Sequence, residues 1–420
     1  MTTQDSLVSA QNRIEVPFVI LELGDYTFGG YNTSTTNGVR KITFPNFIQS
    51  LNVRKVNGTV NTYTIQIVYP ITEKDDPNML DRIFSSISST RMLKLKYGDA
   101  QLPNYIYKEE EVMLKKIQSR VDFRGSKIQY TLHAVSNSIN LTAGVDSFPA
   151  LYEKPSEVIK SLFEDERYGL FDLFYGMKPF KGNLSKFIVG DDKRVEIEGK
   201  SNISILTYIN FLVSCMCNVN ESPEEKLKKT RYYWSVYDDI SNEFGGPYIR
   251  VVNTTADLKY NVDYSTYEVD VGYPAGNLIT EFSISNDDSW SLIYQHAEKI
   301  HMPEYTYNIS DDGKLVPVAS SSLMSSRAYS YETESSRTWW SNMTQFPISA
   351  SLSMKGLLRP AMLMSHVRVN SYFYGHKHVS SGLYIITKQE DTIDKSGYRT
   401  TLGLTRISGD NSLDNTLIDR

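Results

Sequence analysis

Leu51-Asn52-Val53-Arg54-Lys55-Val56-Asn57-Gly58-Thr59-Val60-Asn61-Thr62-Tyr63-Thr64-Ile65-Gln66-Ile67-Val68 is the stretch whose reading decides the fold. Two runs, Leu51–Val56 and Val60–Val68, flank Asn57-Gly58. In the second run Tyr63, Ile65 and Ile67 alternate with Thr64, Gln66 and Val68. A period of two puts each set on its own face of a strand. Asn-Gly supplies the positive φ angles of a type I′ turn, so the reading is a β-hairpin.

Strands extend on both sides of it. Pro17–Glu22 is a short apolar run, with Gly24, Gly29 and Gly30 as punctuation after it. Downstream, Asp76 caps a helix with Pro77 in its first turn, and Met79, Leu80, Ile83, Phe84 and Ile87 recur at helical spacing. Met92–Tyr97, Val112–Phe123 and Lys127–Ala134 read as strands, the last two joined at Arg124-Gly125-Ser126.

The texture changes between Asp146 and Asn220. Pro155–Glu164 predicts a helix with Val158, Ile159, Leu162 and Phe163 on one face. Ser201-Asn202 is read as the cap of a second helix carrying Ile205, Leu206, Ile209, Leu212, Val213 and Met216. Met177–Lys200 separates the two helices, and the charged stretch Glu221–Lys229 ends this helical insertion. Strands resume at Arg231–Tyr237 and Tyr248–Val252. Asn286, Asp287 and Asp288 then cap a helix with Leu292, Ile293, His296, Ala297 and Ile300. Tyr305–Ile309 and Lys314–Val318 flank a turn at Asp311-Asp312-Gly313, and the Ser-rich Ser320–Arg337 reads as a loop. Ile348–Met354, Ala361–Tyr374, Gly382–Gln389 and Arg399–Arg406 are strands, the last pair joined across Asp394-Lys395-Ser396-Gly397.

Two echoes link the halves. Phe44-Pro45, then Ser50-Leu51 and Val53, is matched by Phe346-Pro347, then Ser351-Leu352 and Met354. Asp122…Gly125-Ser126-Lys127 is matched by Asp394…Gly397-Tyr398-Arg399. Their common order predicts a mainly β chain with an α insertion, built as a duplicated β-barrel. The expected boundaries are an N-terminal extension at 1–13, a first barrel at 14–145, the helical insertion at 146–220, a β segment at 221–285 and a second barrel at 286–420. The helix at Pro77–Ile87 has no evident counterpart in the second copy.

Composition bounds the function. At roughly 100–200 residues per domain, 420 residues make two to four domains. Hydrophobic residues are 40% and charged residues 22%, which favours a folded chain. The formal charge of −5 disfavours a free nucleic-acid binder. Tyr numbers 29 against 17 Phe and 4 Trp, and Tyr suits half-buried surfaces, so it is expected on barrel exteriors and subunit seams. Met1–Ala10 lacks the basic start and apolar core of a signal peptide. Ile205–Val219 is interrupted by Thr207, Asn210, Ser214 and Asn218 and is too short to span a bilayer. Cys215 and Cys217 are too close for a disulfide and too few for a zinc site, so they read as packing residues made in a reducing cytoplasm.

No specific catalytic pattern emerges. The sequence has no GxxxxGK[ST] loop, GxSxG elbow or HExxH helix. Among six His, His376 and His378 could face one way on a strand as two metal ligands, but a solvated turn is the simpler reading. Glu109-Glu110-Glu111 reads as a solvated strand end or loop, and Asp287-Asp288 as a helix cap rather than an acid/base pair. Trp339-Trp340 reads as a loop anchor rather than a sugar platform. The expectation is no enzyme, no cofactor, no metal, and no catalytic or binding residue.

The segment Ser353–Asp410 carries a resemblance. Met354-Lys355-Gly356-Leu357-Leu358-Arg359-Pro360-Ala361-Met362-Leu363 holds a Gly-Leu-x-x-Pro pattern. Gly382-Leu383-Tyr384-Ile385-Ile386-Thr387-Lys388-Gln389-Glu390-Asp391-Thr392-Ile393-Asp394 and Gly397-Tyr398-Arg399-Thr400-Thr401-Leu402-Gly403-Leu404 form the closing hairpin. Together with Lys154-Pro155-Ser156-Glu157-Val158-Ile159 and Asn202-Ile203-Ser204, this resembles the baseplate hub proteins of contractile-tailed bacteriophages and related contractile injection systems. The resemblance implies two tail-tube-like barrels per chain and a homotrimer. Its pseudo-hexameric ring would join the hexameric tail tube to a threefold central spike in the virion. It also implies other baseplate proteins and the tape-measure protein as partners, a lumen that DNA crosses, and assembly in the host cytoplasm. The chain ends at Arg420 without a repetitive β-helix or catalytic module, so spike and wall-degrading activity are expected on separate proteins. The alternatives are another tail or baseplate structural protein, or a cell-wall or carbohydrate-active β-protein of the virion.

Overall fold

A computed structural model describes residues 16–29, 35–36, 39–40, 42–44, 46–72, 75–85, 92–100, 105–122, 124–143, 145–164, 192–216, 232–238, 248–253, 267–271, 279–286, 306–309, 315–318, 348–355, 363–373, 376–378 and 380–409. The first half supplies β1 (Pro17–Leu23), β2 (Tyr26–Phe28), β3 (Thr35–Thr36), β4 (Val39–Arg40), β5 (Ile42–Phe44), β6 (Ile48–Val56) and β7 (Thr62–Pro70). It continues with α1 (Met79–Ser85), β8 (Met92–Ala100), β9 (Tyr105–Asp122) and β10 (Lys127–Val135). Next come α2 (Asn140–Ala143) and β11 (Val145–Phe148), and the insertion continues with β12 (Leu151–Glu153), α3 (Pro155–Glu164), β13 (Val195–Ile197), β14 (Lys200–Ser204) and α4 (Ile205–Cys215). A ribbon comes next, β15 (Tyr232–Tyr237) and β16 (Tyr248–Asn253). The second half has β17 (Tyr267–Val271), β18 (Ile279–Asn286), β19 (Thr306–Ile309), β20 (Leu315–Val318), β21 (Ile348–Lys355), β22 (His366–Phe373), β23 (His376–Lys377), β24 (Gly382–Asp394) and β25 (Gly397–Gly409). The chain is mainly β with an α insertion, as its patterning predicts.

One 15-stranded sheet runs through both halves. Its path is β18-β21-β25-β24-β6-β7-β10-β9-β8-β1-β2-β5, and β22, paired to β24, carries β17 and β23. The halves meet where β24 pairs antiparallel with β6, from Lys388↔Val56 to Ile393↔Leu51. A single strand order occurs twice in it. The first half reads β6-β7-β10-β9-β8, and the second reads β18-β21-β25-β24-β22. Beyond these runs β1 pairs antiparallel with β8, whereas β17 pairs parallel with β22. Thus β17 and β18, which sequence patterning assigns to the segment between the barrels, pair with second-half strands.

Three cores stand behind the sheet. The first-half core includes Leu21, Phe28, Val53, Ile65, Leu95 and Tyr130, and also takes Ile393 and Tyr398 from the closing hairpin. The second-half core gathers Leu352, Val367, Tyr384, Ile386 and Leu402. The helical core packs α3 on α4 through Ile159, Leu162, Ile209 and Leu212. The ribbon lies between two of these cores. Period two sends Tyr232, Trp234 and Val236 into the helical core and Tyr233 into the second-half core.

Several local expectations change. The Asn57-Gly58 hairpin forms, but its last register pair is Arg54↔Thr62, and of the two residues only Gly58 has a positive φ, +68°. That conformation belongs to a turn with glycine third, not to type I′. The turn is tied outward: Asn57 N–H donates to Thr387 O (3.0 Å) and Gly58 N–H to Trp234 O (2.8 Å). The cap of α4 is Ser204, whose hydroxyl accepts from Thr207 N–H, while Ser201 and Asn202 lie on β14. At α1, Asp76 accepts from Asn78 N–H at 2.9 Å, and Leu80, Ile83 and Phe84 are buried as expected. The echo hairpins share an Asp that accepts turn N–H bonds, at Asp122 and Asp394. Their loops differ, closing on Asp122↔Lys127 and Asp394↔Gly397.

The expectation for tyrosine is overturned. Tyr63, Tyr97, Tyr130, Tyr208 and Tyr384 are among the largest fully buried side chains. Their polar tips explain it where a partner is present: Tyr384 OH, for example, donates to Ser380 O at 2.6 Å, so the phenol can sit in a core. The expectations for Ile87, 165–191, 217–231, 287–305, 310–314, 319–347 and 356–362 lie outside the described residues. These include Cys217, Asp287-Asp288, Trp339-Trp340, Phe346-Pro347 and most of the Gly-Leu-x-x-Pro segment.

Candidate functional site

Among the described residues, the buried ion pairs gather in a polar junction where first half, ribbon and second half meet. β9 delivers Lys108 and Glu110 inward, because alternate residues of a strand share a face. Glu110 is 1% exposed and ion-paired with Lys55 of β6. The reading of Glu109-Glu110-Glu111 as a solvated run therefore fails at its middle residue. A cation from a distant strand compensates Glu110, which is the condition for burying a carboxylate. Tyr97 OH donates to the other Glu110 oxygen at 3.2 Å.

Lys108 Nζ lies 2.8 Å from Asp391 Oδ2 and 5.7 Å from the centroid of the Tyr97 ring. Asp391 also accepts from Gln389 Nε2 (2.8 Å), Thr400 Oγ1 (2.6 Å) and Tyr398 OH (3.2 Å). Burial alone would raise the Asp391 carboxyl, but the Lys108 ammonium, the Thr400 hydroxyl and the Lys55 charge hold it below its ordinary value. Burial alone would lower Lys55, yet the Glu110 and Asp238 carboxylates hold it above its ordinary value. For Tyr63, Tyr97 and Tyr398, burial first and nearby carboxylates second push the phenols well up, so they remain donors.

Asp238 comes directly after the last residue of β15 and joins the ribbon to the first half. It accepts from Asn61 Nδ2 (2.7 Å), Tyr63 OH (2.8 Å) and Ser136 Oγ (2.5 Å), and its carbonyl accepts from Glu111 N–H (3.2 Å). On the same ribbon strand, Trp234 donates through Nε1 to Asn210 of α4 (2.7 Å), and Asn210 donates to Gly58 O (3.1 Å). Tyr237 OH donates to Leu363 O at 2.7 Å. Each part of the chain is thus fastened to another by side chains that sequence patterning alone leaves unpaired. The arrangement has the chemistry of a rigid joint: its carboxylates accept from fixed donors inside the protein.

The other candidates do not join it. His376 and His378 are exposed, and His378 Nδ1 lies 2.8 Å from Ser380 Oγ. Among the described residues no group of three His, Cys, Asp or Glu could hold a metal ion. Cys215 is buried in the helical core, as expected of a packing residue. A cleft of about 580 Å³ opens between β1, β6 and the tip of the closing hairpin, lined by Phe18, Ile48, Gln49, Gln66 and Ile393. Asp394 on its rim is held low by hydrogen bonds from Ser396. Among the described residues no helix is long and apolar enough to cross a membrane.

No protein-family model matches the sequence, and no curated protein matches it. Solved structures do. A tail protein from Neisseria meningitidis MC58 is 8% identical, with a TM-score of 0.49, over 93% of this chain and 96% of that one. The 43 kDa tail protein of prophage MuSo2 from Shewanella oneidensis is 9% identical, with a TM-score of 0.46, over 94% of this chain and 100% of that one. The E. coli c3393 protein, a type VI secretion component described as similar to T4 bacteriophage tail proteins gp27 and gp5, is 10% identical. Its TM-score is 0.45, over 86% of this chain and 74% of that one. Every one of these TM-scores is below 0.5, so the functional reading rests on this chain's own topology.

Proposed function

We propose that this chain is a structural hub of a phage-tail baseplate. Three copies would form a pseudo-hexameric ring joining a hexameric tail tube to a threefold central spike. The observation that carries this reading is the strand order β6-β7-β10-β9-β8, repeated as β18-β21-β25-β24-β22 in the same chain. A unit used twice per chain lets three chains offer six similar surfaces, which reconciles a threefold neighbour with a sixfold one. The pattern of the closing hairpin, β24–β25, supports the same family. In this proposal the first unit spans 14–145 and the second begins with β17, from Tyr267, because β17 and β18 pair with strands of the second half. The helical insertion at 146–220 and the ribbon stand between the two units.

In this role the chain is not an enzyme. The junction carboxylates serve as fixed anchors of the joint. Tube protein, spike, other baseplate proteins and the tape-measure protein are its partners, in the virion tail after assembly in the host cytoplasm, and DNA passes the lumen. Negative-stain imaging and light scattering of the purified chain, alone and with its tube protein, test the reading. The expected particle is a three-chain ring with near-sixfold outline. A monomer under both conditions overturns the proposal.

A further inference from the structure

Among the described residues, five acidic and basic side chains meet in the junction, and each is less than a tenth exposed: Lys55, Lys108, Glu110, Asp238 and Asp391. Two can be positive and three negative, so full ionisation leaves one buried carboxylate without a counter-charge. A buried surplus charge is costly, and protonation of one group is the usual escape. The geometry identifies that group. Glu110 is paired with Lys55, and Asp391 with Lys108. Asp238 instead accepts from neutral donors, Asn61, Tyr63 and Ser136.

The other titratable groups around it do not change this count. Tyr97 on β8 and Tyr398 on β25 are kept neutral by burial beside carboxylates. Glu111 on β9 is raised by burial and stands opposite Lys94. Arg250 on β16 stands opposite Ser235, and the charged groups that act on Asp238 are Lys55 and Glu110.

We infer that Asp238 is a proton latch, taking up one proton as the pH falls from neutral to mildly acidic and so tightening the β15–β16 ribbon on the first half. Protonation removes the surplus charge and leaves the carboxyl in place among its partners. Burial, reinforced by Glu110 against the opposing pull of Lys55, lifts the Asp238 carboxyl to about 6, which places the uptake in that interval. The folded value lies above the unfolded one. The stabilisation is therefore fully present below the unfolded value, near 4, and is lost as the pH rises through about 6. The helical insertion moves with the latch, because Trp234 of the ribbon is bonded to Asn210 of α4.

Hydrogen exchange of β15 in the full chain, corrected for intrinsic rates, between about pH 5 and about pH 8 is the test. Protection is expected to fall at least several-fold as the pH rises. Asp238→Asn is expected to abolish that dependence and keep the acid-level protection throughout. A flat wild-type profile, or an Asp238→Asn profile as steep as the wild type, overturns the inference. Should Asp238→Asn fail to fold, carboxyl-carbon NMR of the unaltered protein gives the titration directly. A midpoint near 6 supports the latch, and one near 4, the ordinary Asp value, overturns it.

Discussion

Lys108 and Asp391 stand 283 positions apart in sequence and 2.8 Å apart in space, both buried, one in each half of the chain. Their bond crosses from β9 to β24, which are not neighbours in the sheet, so the sheet must curl to bring them together.

Removing one partner strands the other. Lys108→Met leaves the Asp391 carboxylate buried without its cation, and the expected loss is about 3–5 kcal/mol in urea unfolding. Lys108→Met with Asp391→Leu is expected to recover part of that loss, since two apolar groups leave no unpaired charge. A single variant as stable as the wild type would show that the pair contributes nothing at the junction.

Gly58 is crowded in a way that only glycine tolerates. A Cβ there would lie 2.6 Å from Asn210 Oδ1, on a backbone with φ of +68°. Gly58→Ala is expected to cost about 1–3 kcal/mol through left-handed strain and the displaced Asn210 bonds. Trp234 fluorescence reports it locally, because its indole donates to the same Asn210 oxygen. An unchanged emission and midpoint would contradict the tight approach.

Acid should open the joint between the halves. The Asp391 carboxyl is held below its ordinary value by Lys108, Thr400 and Lys55. Its contribution is therefore present above the unfolded value of about 4 and is lost as the pH falls through the lower folded value. Circular dichroism is expected to show wild-type stability declining below about pH 4, and Asp391→Asn to lack that component of the decline.

The insertion depends on its caps. Ser204→Ala removes the hydroxyl that accepts from Thr207 N–H, at an expected cost of about 1 kcal/mol in thermal unfolding. Ser201→Ala, on the adjoining strand, is expected to change stability by less than half as much. Equal effects would mean that Ser204 is not the cap.

Local features could be read from the sequence where local physics decides them. Alternation at Tyr63–Ile67, helical spacing at Leu80–Phe84 and the apolar face of α3 needed no distant partner. The junction did need one. Glu110 looks like part of an acidic run until Lys55 reaches it from another strand, and Asp238 carries no local signal of burial. Gly58 reads as a turn residue, but its turn type is set by Thr387, Trp234 and Asn210, none of them nearby in sequence. Of the two short echoes, the closing hairpins fall on strands with the same place in the two runs, β9–β10 and β24–β25, whereas β21 takes the place of β7 and not of β6.

The antiparallel pairing of β24 with β6 also has a mechanical meaning. The two halves meet there through six successive residue pairs, Lys388↔Val56 to Ile393↔Leu51. A pull along these strands loads the ladder in shear, so its bonds resist together. A pull across them would open the ladder one pair at a time, like a zipper. The joint is therefore stiff along one axis and weak along the perpendicular one, and load along the strands passes between the halves through this ladder.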